Sequence, residues 1–360
     1  MAENNTVNNG EVLLRVENLC QYFKMGKKEL KAVDNVSFDI KRGEVFGLVG
    51  ESGCGKTTTG RSIIKIYDIT SGNVYFKGQR IAAGIRSYKE AIKAAKKEMS
   101  GADDARKAEL REIIAKNRAE ISKARRDNNA AKKSKAATKI QMIFQDPSAS
   151  LNPRMTVREI ISEGLVVNGV KDKEYIEQKV YETLELVGLV REHAGRYQHE
   201  FSGGQRQRIG IARSVIMQPD MIIADEPISA LDVSIQAQVI NLLNELREQL
   251  GLTILFIAHD LSVVKYFSDR IGVMHFGKLV ELADSDELFA HPLHPYTKSL
   301  LSAIPQPDPH SEKKRKRISY NAAKEHDYSV DLPSLREVSP GHFVYCNDAE
   351  EAKIREELAK

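Results

Sequence analysis

A chain of 360 residues is long enough for one large domain with an appendage, or for two domains, and it can bury a substantial core. Hydrophobic residues make up 41% and charged residues 29%, with 54 Lys and Arg against 50 Asp and Glu, a globular composition that excludes disorder throughout. The longest strictly apolar run, residues 254–258, falls far below the roughly 18 to 20 residues a spanning helix needs, so no bilayer crossing is expected.

Residues 1–11 are polar and Asn-rich, with neither a basic start nor an apolar stretch. They read as a disordered N-terminus without a secretory signal, which places the protein in the cytoplasm. The apolar run 45–49 reads as a buried strand and 58–67 as a helix. Between them Gly50-Glu51-Ser52-Gly53-Cys54-Gly55-Lys56-Thr57 matches GxxxxGK[ST] in full. Strand, glycine-rich turn and helix start together suit phosphate: backbone N–H groups close around it and the helix dipole favours its charge. Lys56 would contact the β- and γ-phosphates and the Thr57 hydroxyl would bind Mg²⁺.

The net charge of +4 hides an asymmetry. Residues 86–135 hold 16 Lys and Arg against 8 Asp and Glu, a net +8, which leaves −4 on the rest. Between residues 88 and 139 there is no Pro and only Gly101, and Ala, Lys, Glu and Arg abound, which predicts two helices broken near Ser100-Gly101. Leu110, Ile113, Ile114 and Ile121 recur at helical spacing as one narrow apolar stripe, the pattern of a projecting helical hairpin.

Beyond this insert, residues 221–224 and 253–257 read as further buried strands alternating with helical patterns, an α/β core whose ligand chemistry belongs at the carboxyl ends of its strands. The first ends in Asp225 and Glu226, placed to support Mg²⁺ and to polarise an attacking water respectively. Phe201-Ser202-Gly203-Gly204-Gln205 precedes a helical stretch, 206–215, and forms a second anion site of the phosphate-loop kind. After residue 303 the chain becomes Pro-rich, carries Lys313-Lys314-Arg315-Lys316-Arg317 and ends in a charged helical pattern over 348–360, which reads as an appendage. Cys20, Cys54 and Cys346 stand too far apart for a disulfide framework, in keeping with a reducing compartment.

A Ser-Gly-Gly-Gln signature between a phosphate loop and an Asp-Glu strand resembles the ATP-binding cassette (ABC) ATPases. The resemblance implies a P-loop NTPase with a RecA-like core and a helical subdomain. It implies ATP and Mg²⁺ at Gly50, Ser52, Gly53, Cys54, Gly55, Lys56, Thr57 and Thr58, with Thr57, Gln145 and Asp225 toward the metal. It also implies a dimer in which the signature residues Ser202, Gly203, Gly204 and Gln205 of one cassette close over ATP held by the other. By the same resemblance Gln145 is the Q-loop glutamine, Asp232 belongs to the D-loop, His259 is the switch histidine and Glu226 is the catalytic base. Phe23 resembles the aromatic that stacks on adenine, with Tyr22 as the competing choice.

Three stretches narrow the resemblance to the ATPase subunits of oligopeptide and dipeptide importers: Gln145-Asp146-Pro147 running on to Ser150-Leu151-Asn152-Pro153-Arg154-Met155-Thr156-Val157, Asp225 through Gln238, and His291-Pro292-Leu293-His294-Pro295-Tyr296-Thr297. The Ile228-Ser229 pair leans toward the F-type partner. The resemblance implies a second, non-identical cassette ATPase, two membrane permease subunits, an extracellular peptide-binding protein and a peripheral place on the cytoplasmic membrane face. The expected layout is an ABC domain over 12–85 and 139–285, the basic insert over 86–138, and a C-terminal extension over 286–360. Two departures stand out. Cys346 is alone where many members carry a cysteine cluster, so no iron–sulfur centre is expected. The insert lengthens a normally short connection; its basic helices suit anionic lipid or a permease before nucleic acid.

Overall fold

The computed structural model describes residues 10–304, 317–329 and 331–358. The expected disordered segment lies outside them except for its last two residues, and so does the basic run except for Arg317. The first half of the chain runs β1 (Val12–Met25), β2 (Lys28–Lys41), β3 (Val45–Val49), α1 (Lys56–Ile63), β4 (Ser71–Phe76), β5 (Gln79–Ala83), α2 (Arg86–Glu98), α3 (Asp104–Ser134), β6 (Ile140–Ile143), α4 (Pro147–Ser150), α5 (Val157–Val167) and α6 (Lys173–Leu186). It continues with α7 (Gly203–Val215), β7 (Met221–Asp225), α8 (Val233–Leu250), β8 (Thr253–Ile257), α9 (Leu261–Phe267), β9 (Arg270–His275), β10 (Lys278–Asp284), α10 (Ser285–Ala290), α11 (Pro295–Ser302), α12 (Ala322–Glu325), β11 (Ser334–Ser339), β12 (His342–Cys346) and α13 (Asp348–Leu358). The described residues fall into two compact units, one formed by those up to Arg42 with Thr57–Ile140, the other by Gly43–Lys56 with those from Gln141 onward.

The first unit carries an antiparallel sheet in the order β2-β1-β4-β5. The basic insert folds as two helices separated by a short turn at Met99–Gly101, and Asp103 caps α3 by accepting the Arg106 N–H at 2.8 Å. Ala95, Leu110 and Ile114 seal the pair with help from Ile92, Met99 and Ala102. The expected stripe is narrower than its spacing suggests, because Ile113 remains 38% exposed.

Nor does the hairpin simply project. The Asn128 side-chain amide accepts from the Ala83 N–H and donates to the Ala83 carbonyl, each at 3.0 Å, while Arg80 grips Asp127 at 2.6 Å. The insert thereby satisfies the edge of the sheet at β5, which would otherwise offer unpaired backbone groups. Asn128→Ala should therefore cost about 1–3 kcal/mol, the penalty for stranding such groups, and lower the urea midpoint. Ile113→Ser should move it by less than about 0.5 kcal/mol.

The second unit is built on an eight-stranded sheet in the order β11-β12-β10-β9-β3-β8-β7-β6. Strands β3, β7 and β8 are buried at every position and run parallel, as expected of strands covered on both faces. The predicted strands at 45–49, 221–224 and 253–257 are these three. The predicted helix at 58–67 is α1, displaced toward the loop and ended early because Lys65 adopts φ +64°, a left-handed conformation that breaks the helical ladder.

The C-terminal region is no loose appendage. Strand β12 pairs with β10 and β11 with β12, extending the central sheet by a hairpin. Glu281 of β10, wholly buried, accepts the backbone N–H groups of Leu293 and His294 at 2.8 and 3.0 Å and stands 2.8 Å from His342 Nε2. One carboxylate thus ties the sheet, the start of α11 and β12 together. Leu293, Val338, Val344, Cys346 and Ile354 form a small apolar cluster beside it.

Candidate active site

Sheet order explains the site. Strands β8, β7 and β6 are neighbours, so the segments leaving their carboxyl ends emerge side by side. Gln145 follows β6, Asp225 and Glu226 end β7, and His259 follows β8. Gln145 Nε2 donates to Glu226 Oε2 at 3.0 Å, and His259 Nδ1 stands 3.3 Å from that same oxygen. Glu226 adopts φ +46°, an uncommon conformation for a residue with a side chain, while its N–H donates to the Ile257 carbonyl at 2.9 Å. That strained backbone aims the carboxylate at Gln145 and His259. Asp225, one residue earlier, is fully buried.

The glycine-rich loop leaves β3. Gly50 has φ +146°, and a Cβ there would lie 2.2 Å from the Met274 carbonyl oxygen, so only glycine lets the loop press against the end of β9. Gly53 and Gly55 take positive φ as well, a backbone that turns successive N–H groups inward as an anion nest. Lys56, 4% exposed, folds its ammonium back into the loop: Nζ donates to the Gly50 carbonyl at 2.7 Å and the Glu51 carbonyl at 3.0 Å, and lies 3.8 Å from Cys54 Sγ. Burial pushes the Cys54 thiol up from its ordinary range. Thr57 and Thr58 continue the first turn of α1, while Ser52 is exposed on the rim of the loop.

From the other side the loop rests on later parts of the chain. The Gly277 N–H donates to the Cys54 carbonyl at 2.9 Å, and the Glu51 N–H donates to the Tyr296 hydroxyl at 3.1 Å. The sequence reading singled out the segment around Tyr296 without a role for it. No spacing rule links a residue of α11 to a loop 245 positions earlier in the chain.

Ser202, Gly203, Gly204 and Gln205 build a separate feature at the start of α7. Ser202 and Gln205 form a reciprocal capping box: each backbone N–H donates to the other's side chain. A Cβ on Gly204 would lie 2.6 Å from Ile235 Cγ2, so glycine permits the close approach of α7 to α8. Asp232 stands at the N-cap position of α8 without a side-chain cap bond, and Gln236 secures the loop before it by donating to the Ile228 and Leu231 carbonyls. In the first unit the Tyr22 hydroxyl donates to Asp34 and its ring lies under Lys31 and Arg86. Phe23 meets the edge of Tyr67, with ring centroids 5.2 Å apart.

His294 heads α11 and accepts the Tyr296 N–H through Nδ1 at 3.1 Å. Burial pushes its pKa down to about 3, helped by the neighbouring His326 and His275. A histidine held below its unfolded value of about 6.5 adds stability above that pH and loses it as pH falls toward 3. The thermal midpoint should therefore fall on acidification from pH 7 to 5. It should fall less in His294→Asn, whose amide oxygen keeps the cap.

A glycine nest with a buried lysine after β3, in one parallel sheet with a strand, β7, that ends in two carboxylates, defines a P-loop nucleotide hydrolase. A family model described as "ABC transporter" matches residues 33–136 and 107–229, and one described as "Oligopeptide/dipeptide transporter, C-terminal region" matches residues 280–330. The chain is 54% identical to the oligopeptide transport ATP-binding protein OppF of Bacillus subtilis over 341 residues, covering 94% of this chain and 98% of that protein. It is 49% identical to the dipeptide transport ATP-binding protein DppF of Lactococcus lactis, covering 94% and 95%. Among solved structures it resembles cbiO1 of Clostridium perfringens, part of an ABC transporter complex (TM-score 0.57, 26% identity, 78% and 92% covered). It also resembles the cassette MJ0796 in a dimeric post-hydrolysis state bound to ADP and Pi (TM-score 0.56, 26% identity, 76% and 99% covered). The chain belongs to the ABC ATPases, in the branch formed by the oligopeptide and dipeptide transport ATP-binding proteins.

Proposed function

We propose that this protein hydrolyses ATP to drive peptide uptake through a membrane importer, with Glu226 as the base. The observation that carries the reading is the meeting of Gln145 and His259 on Glu226 Oε2 at the carboxyl end of β7. Lys56 and the N–H groups of Gly53, Cys54 and Gly55 hold the β- and γ-phosphates. Glu226 accepts the proton of the attacking water at a carboxylate oxygen, and His259 and Gln145 keep that carboxylate in place. Phe23 stacks on adenine, since Tyr22 is committed to Asp34, Lys31 and Arg86.

The donor chemistry fits Mg²⁺. Gln145 spends its amide nitrogen on Glu226, which leaves its carbonyl oxygen, with the Thr57 hydroxyl and the Asp225 carboxylate, as the oxygen donors that would hold the ion. Held there, Mg²⁺ would supply positive charge against the charge that develops on the phosphates. Since one chain carries one phosphate loop and one signature, we assign two cassettes per working unit. Ser202, Gly203, Gly204, Gln205 and Asp232 then close over ATP held by the opposite subunit, which we take to be non-identical. Two permease subunits and an extracellular peptide-binding protein complete the importer. The chain sits peripherally on the cytoplasmic face of the membrane; among the described residues no helix is long and apolar enough to cross it. The basic faces of α2 and α3 contact anionic headgroups there.

The test is a pull-down of tagged Glu226→Gln protein from native membranes in mild detergent with ATP. Recovery of a second cassette ATPase with two multi-span proteins is expected. Recovery of ribosomes or nucleic acid without membrane proteins would sink the importer reading.

A further inference from the structure

A single peptide unit joins the C-terminal extension to the phosphate loop. The Gly50–Glu51 peptide presents its carbonyl to Lys56 Nζ at 2.7 Å and its N–H to the Tyr296 hydroxyl at 3.1 Å. A peptide is planar and rigid, so fixing its N–H fixes the carbonyl that steers the lysine ammonium. We propose that Tyr296 is a positioning residue for ATP binding, orienting the Gly50–Glu51 peptide and through it the Lys56 ammonium.

The surroundings make the tyrosine a fixed post. Tyr296 is 2% exposed, and its ring lies 4.0 Å from His275 and 5.5 Å from Tyr320, centroid to centroid. Burial raises the phenol above its ordinary pKa, so it stays a neutral hydroxyl at any working pH. Its backbone is fixed in turn. The Tyr296 N–H donates to His294 Nδ1, and the His294 N–H donates to the buried Glu281 carboxylate. The line of support therefore runs from the central sheet through Glu281, His294 and Tyr296 into the loop. Pro295 between them occupies the first turn of α11, where its fixed φ suits the helix start. The histidine, proline and tyrosine of this segment thus each have a structural part in holding one hydroxyl under Glu51.

The inference rests on the reading of the loop as an ATP site, and two measurements separate the two claims. In the first, ATP hydrolysis is followed for the assembled importer complex carrying the wild-type chain, Tyr296→Phe or Tyr320→Phe. Tyr296→Phe keeps the ring and loses the acceptor, so the KM for ATP should rise by about two- to tenfold, the worth of one hydrogen bond. The value of kcat should hold within about twofold and the thermal midpoint should be little changed. Tyr320→Phe, in the same ring cluster without a bond to the loop, should leave KM unchanged. An unchanged KM in Tyr296→Phe, or an equal rise in Tyr320→Phe, overturns the proposal. The second measurement needs no turnover. Amide exchange of the Glu51 N–H in nucleotide-free protein should be slow, and at least about tenfold faster in Tyr296→Phe; equal rates overturn the proposal. A wild-type complex without ATPase activity would overturn the hydrolase reading instead, and the exchange rates would still decide the part played by Tyr296.

Discussion

Glu226→Gln should lower steady-state ATP turnover by about 10²- to 10⁴-fold, the range a positioned general base contributes, while leaving nucleotide affinity near the wild-type value. The side chains are nearly isosteric, and both must adopt the left-handed backbone that φ +46° imposes on this position. An amide can still accept from Gln145 Nε2 through its oxygen, so the arrangement at 3.0 Å survives. What disappears is the carboxylate that takes the proton. Lys56 and the glycine nest lie in the loop after β3 and not on Glu226, so phosphate binding persists. Phosphate release and the binding of a fluorescent ATP analogue separate the two effects. Turnover within tenfold of wild type would remove Glu226 as the base and point to a different proton acceptor.

The legible parts of this protein are those whose chemistry is written locally. The phosphate loop could be read because Gly50, Gly53 and Gly55 occupy fixed offsets from Lys56, each offset answering a backbone requirement. The signature was legible as a serine and two glycines at a helix start, but the reciprocal cap between Ser202 and Gln205 was not read there and is a finding of the structure. Strands β3, β7 and β8 announced themselves as short continuous apolar runs. The meeting of Gln145, Glu226 and His259 was available only through the resemblance, because their proximity comes from strand order and not from spacing. Other features were illegible. Periodicity placed Ile113 on the sealed face of α3, yet a two-helix contact is narrow and excludes it. Asn128 looked like one more polar residue in a charged helix, and its pairing with Ala83 depends on where α3 meets β5. The hairpin of β11 and β12 follows a Pro-rich, basic stretch that hides a return to the central sheet.

Removing the Glu281 carboxylate should carry a large stability penalty. Glu281→Ala leaves three polar groups without their acceptor in a buried setting: the N–H groups of Leu293 and His294, and Nε2 of His342, itself 1% exposed. Each stranded group costs about 1–3 kcal/mol, and breaking a buried charged or hydrogen-bonded cluster by deleting one member costs about 3–5 kcal/mol in all. A cavity the size of the lost side chain adds to this, since nothing nearby can refill it with a carboxylate's geometry. Glu281→Gln is expected to be milder, because an amide oxygen can still serve one backbone N–H, although its NH₂ then faces a second donor. Urea unfolding followed by circular dichroism should show the order wild type, Gln, Ala. The loss should be felt first where Glu281 acts, as faster amide exchange at Leu293, His294 and the strands β11 and β12, with β7 and β8 protected until global unfolding. If Glu281→Ala unfolded within about 1 kcal/mol of wild type, the carboxylate would not be what ties α11 and β12 to the sheet, and the apolar cluster of Leu293, Val338, Val344 and Ile354 would have to hold the extension by itself.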